Sequence, residues 1–264
     1  MSRIKATFNK LRGQNKKALV AYLVVGDPDI ETTLGLMKIM VSKGADVLEL
    51  GISFSDPMAE GPVIQHAHER ALKNNTTLLD AIDLVIEFRK QDSVTPIVFM
   101  GYMNPFEAMG AEIFCSKASK GGVDGILLVD MPPEESKDFT EATLSNDLDL
   151  IRLIAPTTDE KRVKKICADA SGYIYYISVK GVTGANKFDA LEVKDKVSSI
   201  KSITDLPVVV GFGIKDADSV ASVRDLSDGI VVGSALVELI AEGKNHISDK
   251  VSKKIAELSS ALSK

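Results

Sequence analysis

Short apolar runs rich in β-branched residues alternate along this chain with longer segments whose apolar positions recur every three or four residues. The runs are ALVAYLVVG (18–26), DVLELGI (46–52), PIVFMGYM (96–103), GILLVD (125–130), DLIRLIAP (149–156), YIYYISV (173–179), PVVVGFGI (207–214) and GIVVGSAL (229–236). Runs of this length, bounded by Gly, Pro and Asp, read as strands buried on both faces, the pattern of a parallel sheet. Between the first two, IETTLGLMKIMVSKG (30–44) sets Leu34, Met37, Met40 and Val41 on one helical stripe and stops at Gly44. Ile4, Phe8 and Leu11 also fall at helical spacing, which predicts a short amphipathic helix over one end of the fold. Strand followed by helix, repeated eight times, predicts a closed (β/α)8 TIM barrel. An open doubly wound sheet would usually carry a Gly-rich first loop opening a helix, and the first loop here, GDPDIE, holds no G-x-G-x-x-G. No Pro/Gly/Ser-rich linker divides the sequence, so residues 1–264 are expected to form a single barrel domain with the N-terminal helix as its cover.

Composition excludes more than it assigns. With 45% apolar and 26% charged residues and a mean hydropathy of +0.08, the chain has the make-up of an ordinary soluble globular protein. The longest apolar run, ALVAYLVVG, is about half of the ~20 residues that a membrane span needs. MSRIKATFNKLRGQNKK lacks the continuous apolar stretch of a secretory signal. Thirty-two Lys and Arg against 37 Asp and Glu leave a net charge of −5 with no basic run to follow a phosphate backbone, so nucleic acid is not an expected partner. Cys115 and Cys167 stand apart without metal-ligand spacing, as inert thiols of a reducing cytoplasm do.

Along DVLELGI the side chains alternate, putting Val47, Glu49 and Gly51 on one face and Leu48, Leu50 and Ile52 on the other. The leucines belong against helices. Glu49 is therefore expected inside the barrel near the C-terminal end of its strand, where barrel enzymes hold catalytic groups. A structural ion pair is the other use for a buried carboxylate, but the remaining strand runs contain no Lys and a single Arg, Arg152. With few cations at hand, desolvation should raise the pKa of Glu49 and make it a proton donor. The following loop, SFSDPMAEGP, supplies two more acids. Asp56, before Pro57, reads as a turn former whose carboxylate accepts local backbone N–H bonds. Glu60 precedes a helix that starts at Pro62, where an acid favours the helix dipole, and that use and a catalytic one stand level here.

Two connections exceed what a minimal barrel needs, residues 53–61 after the second strand and 180–188 after the sixth, both where such folds keep their chemistry. Strand seven ends at Gly211-Phe212-Gly213 and strand eight at Gly233-Ser234-Ala235, each followed by a helical pattern. Glycines at these two corners let backbone N–H groups approach an anion, which predicts a phosphate pocket. KGVTGANK (180–187) is expected to close over the same ligand. His66 and His68 lie in PVIQHAHERALK, a helical pattern that turns i and i+2 roughly 200° apart, so a metal site is not expected from them. H-E-x-x-H, G-x-S-x-G and C-x-x-C are absent.

LELGISFSDPMAEGPVIQ (48–65), VDMPPEE (129–135), YYISVKGVTGA (175–185), GFGI (211–214) and VGSALV (232–237), in that order and spacing, resemble the α subunit of tryptophan synthase along essentially the whole chain. The resemblance implies a (β/α)8 barrel that cleaves indole-3-glycerol phosphate to indole and glyceraldehyde 3-phosphate. That is a retro-aldol lyase of tryptophan biosynthesis with no cofactor of its own in this chain. It implies that Glu49 is the family's buried catalytic carboxylate and Glu60 its second, at a position where the family typically has aspartate. Phe212, Gly213, Gly184, Gly233 and Ser234 match the phosphate pocket. Tyr22, Met100, Tyr102, Val129, Leu153 and Tyr175 match positions around the indole, and Thr183 is expected to turn toward Glu60. Also implied is a heterotetramer with a β subunit that carries pyridoxal phosphate, met through Asp56, Asn104 and the Pro132 region.

The chemistry explains the need for two acids. Breaking the bond from indole C3 to the glycerol chain requires protonation of C3, loss of the hydroxyl proton and relief of positive charge at the ring nitrogen. Two carboxylates in different environments divide this work, with Glu49 protonated among apolar walls and Glu60 ionised in a polar loop, accepting from the indole N–H. Two other readings stay open at this point. Another phosphate-binding barrel enzyme would be expected to carry a strand lysine, which is absent. A catalytically weak barrel serving mainly as partner of a β subunit is the other, and the presence of Glu49 speaks against it.

Overall fold

The computed structural model describes residues 2–178, 190–211, 213–243 and 246–263; Thr183, Gly184, Phe212 and the loop 180–188 lie outside them. All eight apolar runs fold as strands: β1 Ala18–Val24, β2 Val47–Gly51, β3 Ile97–Gly101, β4 Gly125–Leu128, β5 Asp149–Ile154, β6 Ile174–Ile177, β7 Val208–Gly211 and β8 Gly229–Val232. They pair in parallel in chain order, and β8 closes on β1. The register sets Tyr22 beside Glu49, Glu49 beside Val98 and Val98 beside Gly125, so these positions share the inner face. Val20, Val47, Val98, Leu127, Ile151 and Val209 fill the barrel, while Leu48, Leu50 and Ile52 pack outward among helices, as the alternation in β2 predicts.

The described helices are α1 Arg3–Gly13, α2 Ile30–Ser42, α3 Pro62–Lys73, α4 Leu78–Arg89, α5 Met103–Met109, α6 Ala111–Gly121, α7 Lys137–Ser145, α8 Glu160–Ala168, α9 Ala190–Lys201, α10 Ala217–Val223, α11 Ser234–Ala241 and α12 Ile247–Leu262. The expectation of one helix per connection is corrected in three places: α3 and α4 separate β2 from β3, α5 and α6 separate β3 from β4, and α11 and α12 follow β8. Local breaks divide them. Asn75 at φ 56° ends α3, and Thr77 opens α4 with a reciprocal Thr77–Asp80 capping box. Gly110, at φ 86°, separates α5 from α6. Two apolar runs also overreach: PIVFMGYM and GIVVGSAL extend into α5 and α11, since an apolar helix start looks like a strand end.

The α2 stripe is centred slightly off its expected line. Met37 and Met40 are buried together with Leu36, and Leu34 and Val41 sit half-buried at the edges. At the N-terminal end of the barrel α1 buries Ile4, Phe8 and Leu11, as expected. The Phe8 ring lies 5.7 Å from that of Tyr173, and Arg3 pairs with Asp124 at 2.9 Å, so the cover is pinned by both packing and charge.

Candidate active site

Glu49 is fully buried on the inner face of β2. From the opposite wall Tyr173, just before β6, donates its hydroxyl to Glu49 Oε2 at 3.3 Å, while Oε1 has no hydrogen-bond partner among the described residues. Arg152 does not answer it. That side chain points out of the barrel and donates to the Met131 carbonyl (3.2 Å) and the Ser136 hydroxyl (2.6 Å), which removes the ion-pair reading. Burial pushes the Glu49 carboxyl up to about 8; the Tyr173 bond opposes the rise and the charge of Glu60 adds to it. At neutral pH the group is mostly a neutral acid.

Glu60 departs from its expected state. Burial raises its carboxyl to about 7, so the loop does not simply keep it ionised. The loop lies against the barrel mouth, and the Glu60 charge acts on Glu49, Tyr22, Tyr102 and Tyr175, which places both carboxylates in one electrostatic cluster. Its backbone is held from several sides. The Glu60 N–H donates to the Pro57 carbonyl (3.0 Å), its carbonyl accepts from Gln65 Nε2 (2.8 Å), and the preceding Ala59 N–H donates to the Tyr102 hydroxyl (3.0 Å). Asp56 is also corrected. Exposed at the loop tip, its carboxylate accepts from the Ser55 hydroxyl at 2.5 Å rather than from a backbone N–H; the turn is closed instead by Met58 N–H on the Asp56 carbonyl (2.8 Å).

The expected indole positions converge on the mouth. Tyr22 belongs to the inner cluster, and Met100, Val129, Leu153 and Tyr175 pack half-buried against it. Two strand glycines make room for the phenols: a Cβ on Gly51 would fall 2.3 Å from the Tyr22 hydroxyl, and one on Gly211 2.2 Å from that of Tyr175. Burial, reinforced by the two carboxylates, raises Tyr22 and Tyr175 far above the usual phenol range, so they stay neutral. Tyr102 is buried too, but its hydroxyl is engaged by the loop, and its ring stacks on Phe54 at 5.5 Å.

The phosphate expectation narrows to one helix start. At α10 the first turn is closed by its own capping box, with Ser219 N–H on Asp216 Oδ1 (2.9 Å) and Asp216 N–H on Ser219 Oγ (3.0 Å). At α11 the N-cap Gly233 offers no side chain, and the first amides bonded inside the turn are those of Leu236 and Val237, both on the Gly233 carbonyl. The amides of Ser234 and Ala235 have no hydrogen-bond partner among the described residues. Gly213, at φ 73° and with open space beside its Cα, follows β7, which pairs with β8. An anion seated here meets backbone donors and the positive end of α11.

Elsewhere the thiols are inert, Cys115 pushed up to about 12 and Cys167 also raised by burial. His66 is exposed and His68 buried on α3, and no cluster of three metal-ligating side chains occurs among the described residues. Clefts of about 460 Å³ near Tyr176 and 560 Å³ beneath α1 and α12 lie away from the paired carboxylates. Sequence reading missed Tyr173 as the partner of Glu49, although its i, i+2 relation to Tyr175 puts it on the same inner face. It also weighed His68 only as a metal ligand. On the rim, Met58 is 79% exposed beside Asp56, Asn104 is exposed at the start of α5, and Asp130 Oδ1 accepts the Met103 N–H (2.8 Å), joining that start to the segment bearing half-buried Pro132. No described helix is long and apolar enough to cross a membrane.

Comparison with known proteins follows the same lines. The sequence profile of the tryptophan synthase alpha chain matches residues 8–263. The tryptophan synthase alpha chain of Thioalkalivibrio sulfidiphilus is 53% identical over 242 residues, covering 92% of this chain and 91% of that one. That of Acinetobacter baumannii is 48% identical over 263 residues, 99% of this chain and 98% of that one. The crystal structure of tryptophan synthase subunit alpha from Legionella pneumophila superposes with a TM-score of 0.93 at 41% identity, covering 100% of this chain and 99% of that chain. A chain of the tryptophan synthase complex from Pyrococcus furiosus gives 0.82 at 37% identity, covering 92% and 98%. Identity of this order along nearly the full length, on a barrel of the same shape, makes the chain a member of the tryptophan synthase alpha chain family.

Proposed function

We propose that the family's lyase reaction, retro-aldol cleavage of indole-3-glycerol phosphate to indole and glyceraldehyde 3-phosphate, runs in this chain on Glu49 and Glu60. The observation that carries the reading is a fully buried carboxyl on the inner face of β2, raised by burial to about 8, with one oxygen free of hydrogen-bond partners among the described residues and so placed to act as a proton donor. Glu49 gives its proton to indole C3, and Glu60 accepts the ring N–H as positive charge develops there. The Glu49 carboxylate so formed takes the proton from the glycerol hydroxyl as the carbon–carbon bond breaks, which returns the bonding electrons to the ring and leaves the aldehyde. Protons and electrons balance between the two acids and the substrate, and no step calls on a metal or an organic cofactor in this chain.

Tyr22, Met100, Val129, Leu153 and Tyr175 wall the indole, with Tyr102 behind the loop. Gly213, Gly233 and Ser234 hold the phosphate, Gly184 and Phe212 join them by resemblance, and Thr183 turns toward Glu60 on the same ground. Binding energy from the phosphate then orients the bond to be broken. The product leaves toward a β subunit, carrying pyridoxal phosphate, that docks on the rim at Asp56, Asn104 and Pro132. A large apolar side chain as exposed as Met58 suits such a contact. Buried, unpaired thiols fit work in the cytoplasm.

The test is release of indole from synthetic indole-3-glycerol phosphate by the purified chain, with and without a β subunit. Stoichiometric indole and aldehyde are expected, faster with the partner. No indole above the buffer rate in either case would remove the reading.

A further inference from the structure

Inside α3, His68 is 2% exposed and accepts the Phe54 N–H at Nδ1, 3.1 Å away. A ring nitrogen accepts only while it carries no proton, so His68 is the neutral tautomer with its hydrogen on Nε2. Burial, which lowers the imidazole to about 4, keeps it so. The Nε2 atom is itself buried and has no hydrogen-bond partner among the described residues. A polar group left unpaired costs free energy that an apolar side chain would not, and that cost calls for a compensating use of the ring. The use visible here is the acceptor at Nδ1.

That acceptor holds the loop that presents Glu60. Phe54 opens the loop; its N–H is fixed by His68 and its ring stacks on Tyr102 at 5.5 Å. Tyr102 in turn receives the N–H of Ala59, the neighbour of Glu60. One end of the loop is thus tied to α3, the other to the residue after β3, and the two ties touch through the stacked rings. Between them Ser55, Asp56 and Met58 are exposed, and Pro57 is buried. We propose that His68 is a positioning residue for Glu60, setting through Phe54 and Tyr102 the placement of the loop carboxylate over the barrel mouth. It does so without touching substrate.

The proposal rests on the reaction assigned above, and its test separates the two. Asn Oδ1 stands the same number of bonds from Cβ as His Nδ1, so His68→Asn keeps the acceptor and His68→Leu removes it. In the assembly with the β subunit, His68→Leu is expected to lower kcat on the order of 10- to 100-fold. KM should stay within about twofold, since the phosphate donors of α11 are untouched. His68→Asn is expected to regain most of the loss. Equal kcat in wild type and His68→Leu, or equal losses in both variants, overturns the proposal.

Nitrogen NMR of the wild-type ring reads the geometry independently of turnover and of whether the leucine variant folds. Nδ1 should report an unprotonated acceptor and Nε2 a protonated nitrogen from pH 5 to 8, a window above the imidazole value of about 4. A ring that titrates in that range, or that carries its proton on Nδ1, overturns the proposal as well. Should the wild type fail to cleave the substrate, the functional reading falls, while the ring and the protection of the Phe54 amide from hydrogen exchange still decide whether His68 holds the loop.

Discussion

In the proposed reaction the proton on Glu49 links catalysis to folding, because the group assigned as the acid is the one whose ionisation the barrel resists. Below about pH 4.5 it is protonated both folded and unfolded and has no effect on stability. As pH rises the unfolded chain releases the proton while the native protein retains it up to about 8, so stability falls across that window, by a total on the order of 5 kcal/mol. Glu49→Gln removes the ionisation. Its Tm should match the wild type near pH 4 and exceed it increasingly toward pH 8, while cleavage drops by ~10²-fold or more. A Tm difference that does not change with pH would contradict the assignment. The proposed reaction needs Glu60 ionised and Glu49 protonated, so kcat/KM should trace a narrow bell with limbs near 7 and 8 that belong to the coupled pair. Glu60→Asp should keep most of the activity, its shorter reach absorbed by the loop, and Glu60→Gln should lose ~10²-fold or more. Equal turnover by Glu60→Gln and wild type would make Glu60 a bystander.

At the scale of elements, two helix starts that look alike in sequence differ in what their amides do. Asp216 and Ser219 use up the first turn of α10, whereas Gly233 leaves that of α11 open. Gly213→Val, which forces a β-branched residue to φ 73°, should raise KM for the phosphorylated substrate while leaving cleavage of a dephosphorylated analogue nearly unchanged. Asp216→Ala should cost about 1 kcal/mol of stability and leave KM alone. Equal losses for both substrates in Gly213→Val, or a KM effect from Asp216→Ala, would move the phosphate elsewhere. The contrast also marks what was legible beforehand. Alternation in β2 placed Glu49 inward because a strand has only two faces. The state of Glu60 was not legible, because it depends on walls supplied by distant strands. The Tyr173 partner of Glu49 was hidden for the same reason, lying 124 residues along the chain. Helix doubling escaped because Gly110 and Thr77, which punctuate it, resemble ordinary turn residues.

The whole molecule is a closed barrel plugged by α1 at one end and open to the loops at the other. Met58, exposed on that open rim, lies on the surface proposed to meet a β subunit. Met58→Asp should weaken co-purification with a β subunit and leave any cleavage by the isolated chain unchanged; unaltered association would relocate the interface. Closure of the barrel has one consequence on which the mechanism stands, a neutral carboxyl at Glu49. Infrared difference spectroscopy of wild type against Glu49→Gln, titrated through the neutral range, reads that group directly. The carbonyl stretch of a neutral carboxylic acid is expected at pH 7, absent in the variant and lost in the wild type as pH passes about 8. Carboxylate bands alone at pH 7 would show Glu49 already ionised, unable to give the proton that the reaction needs.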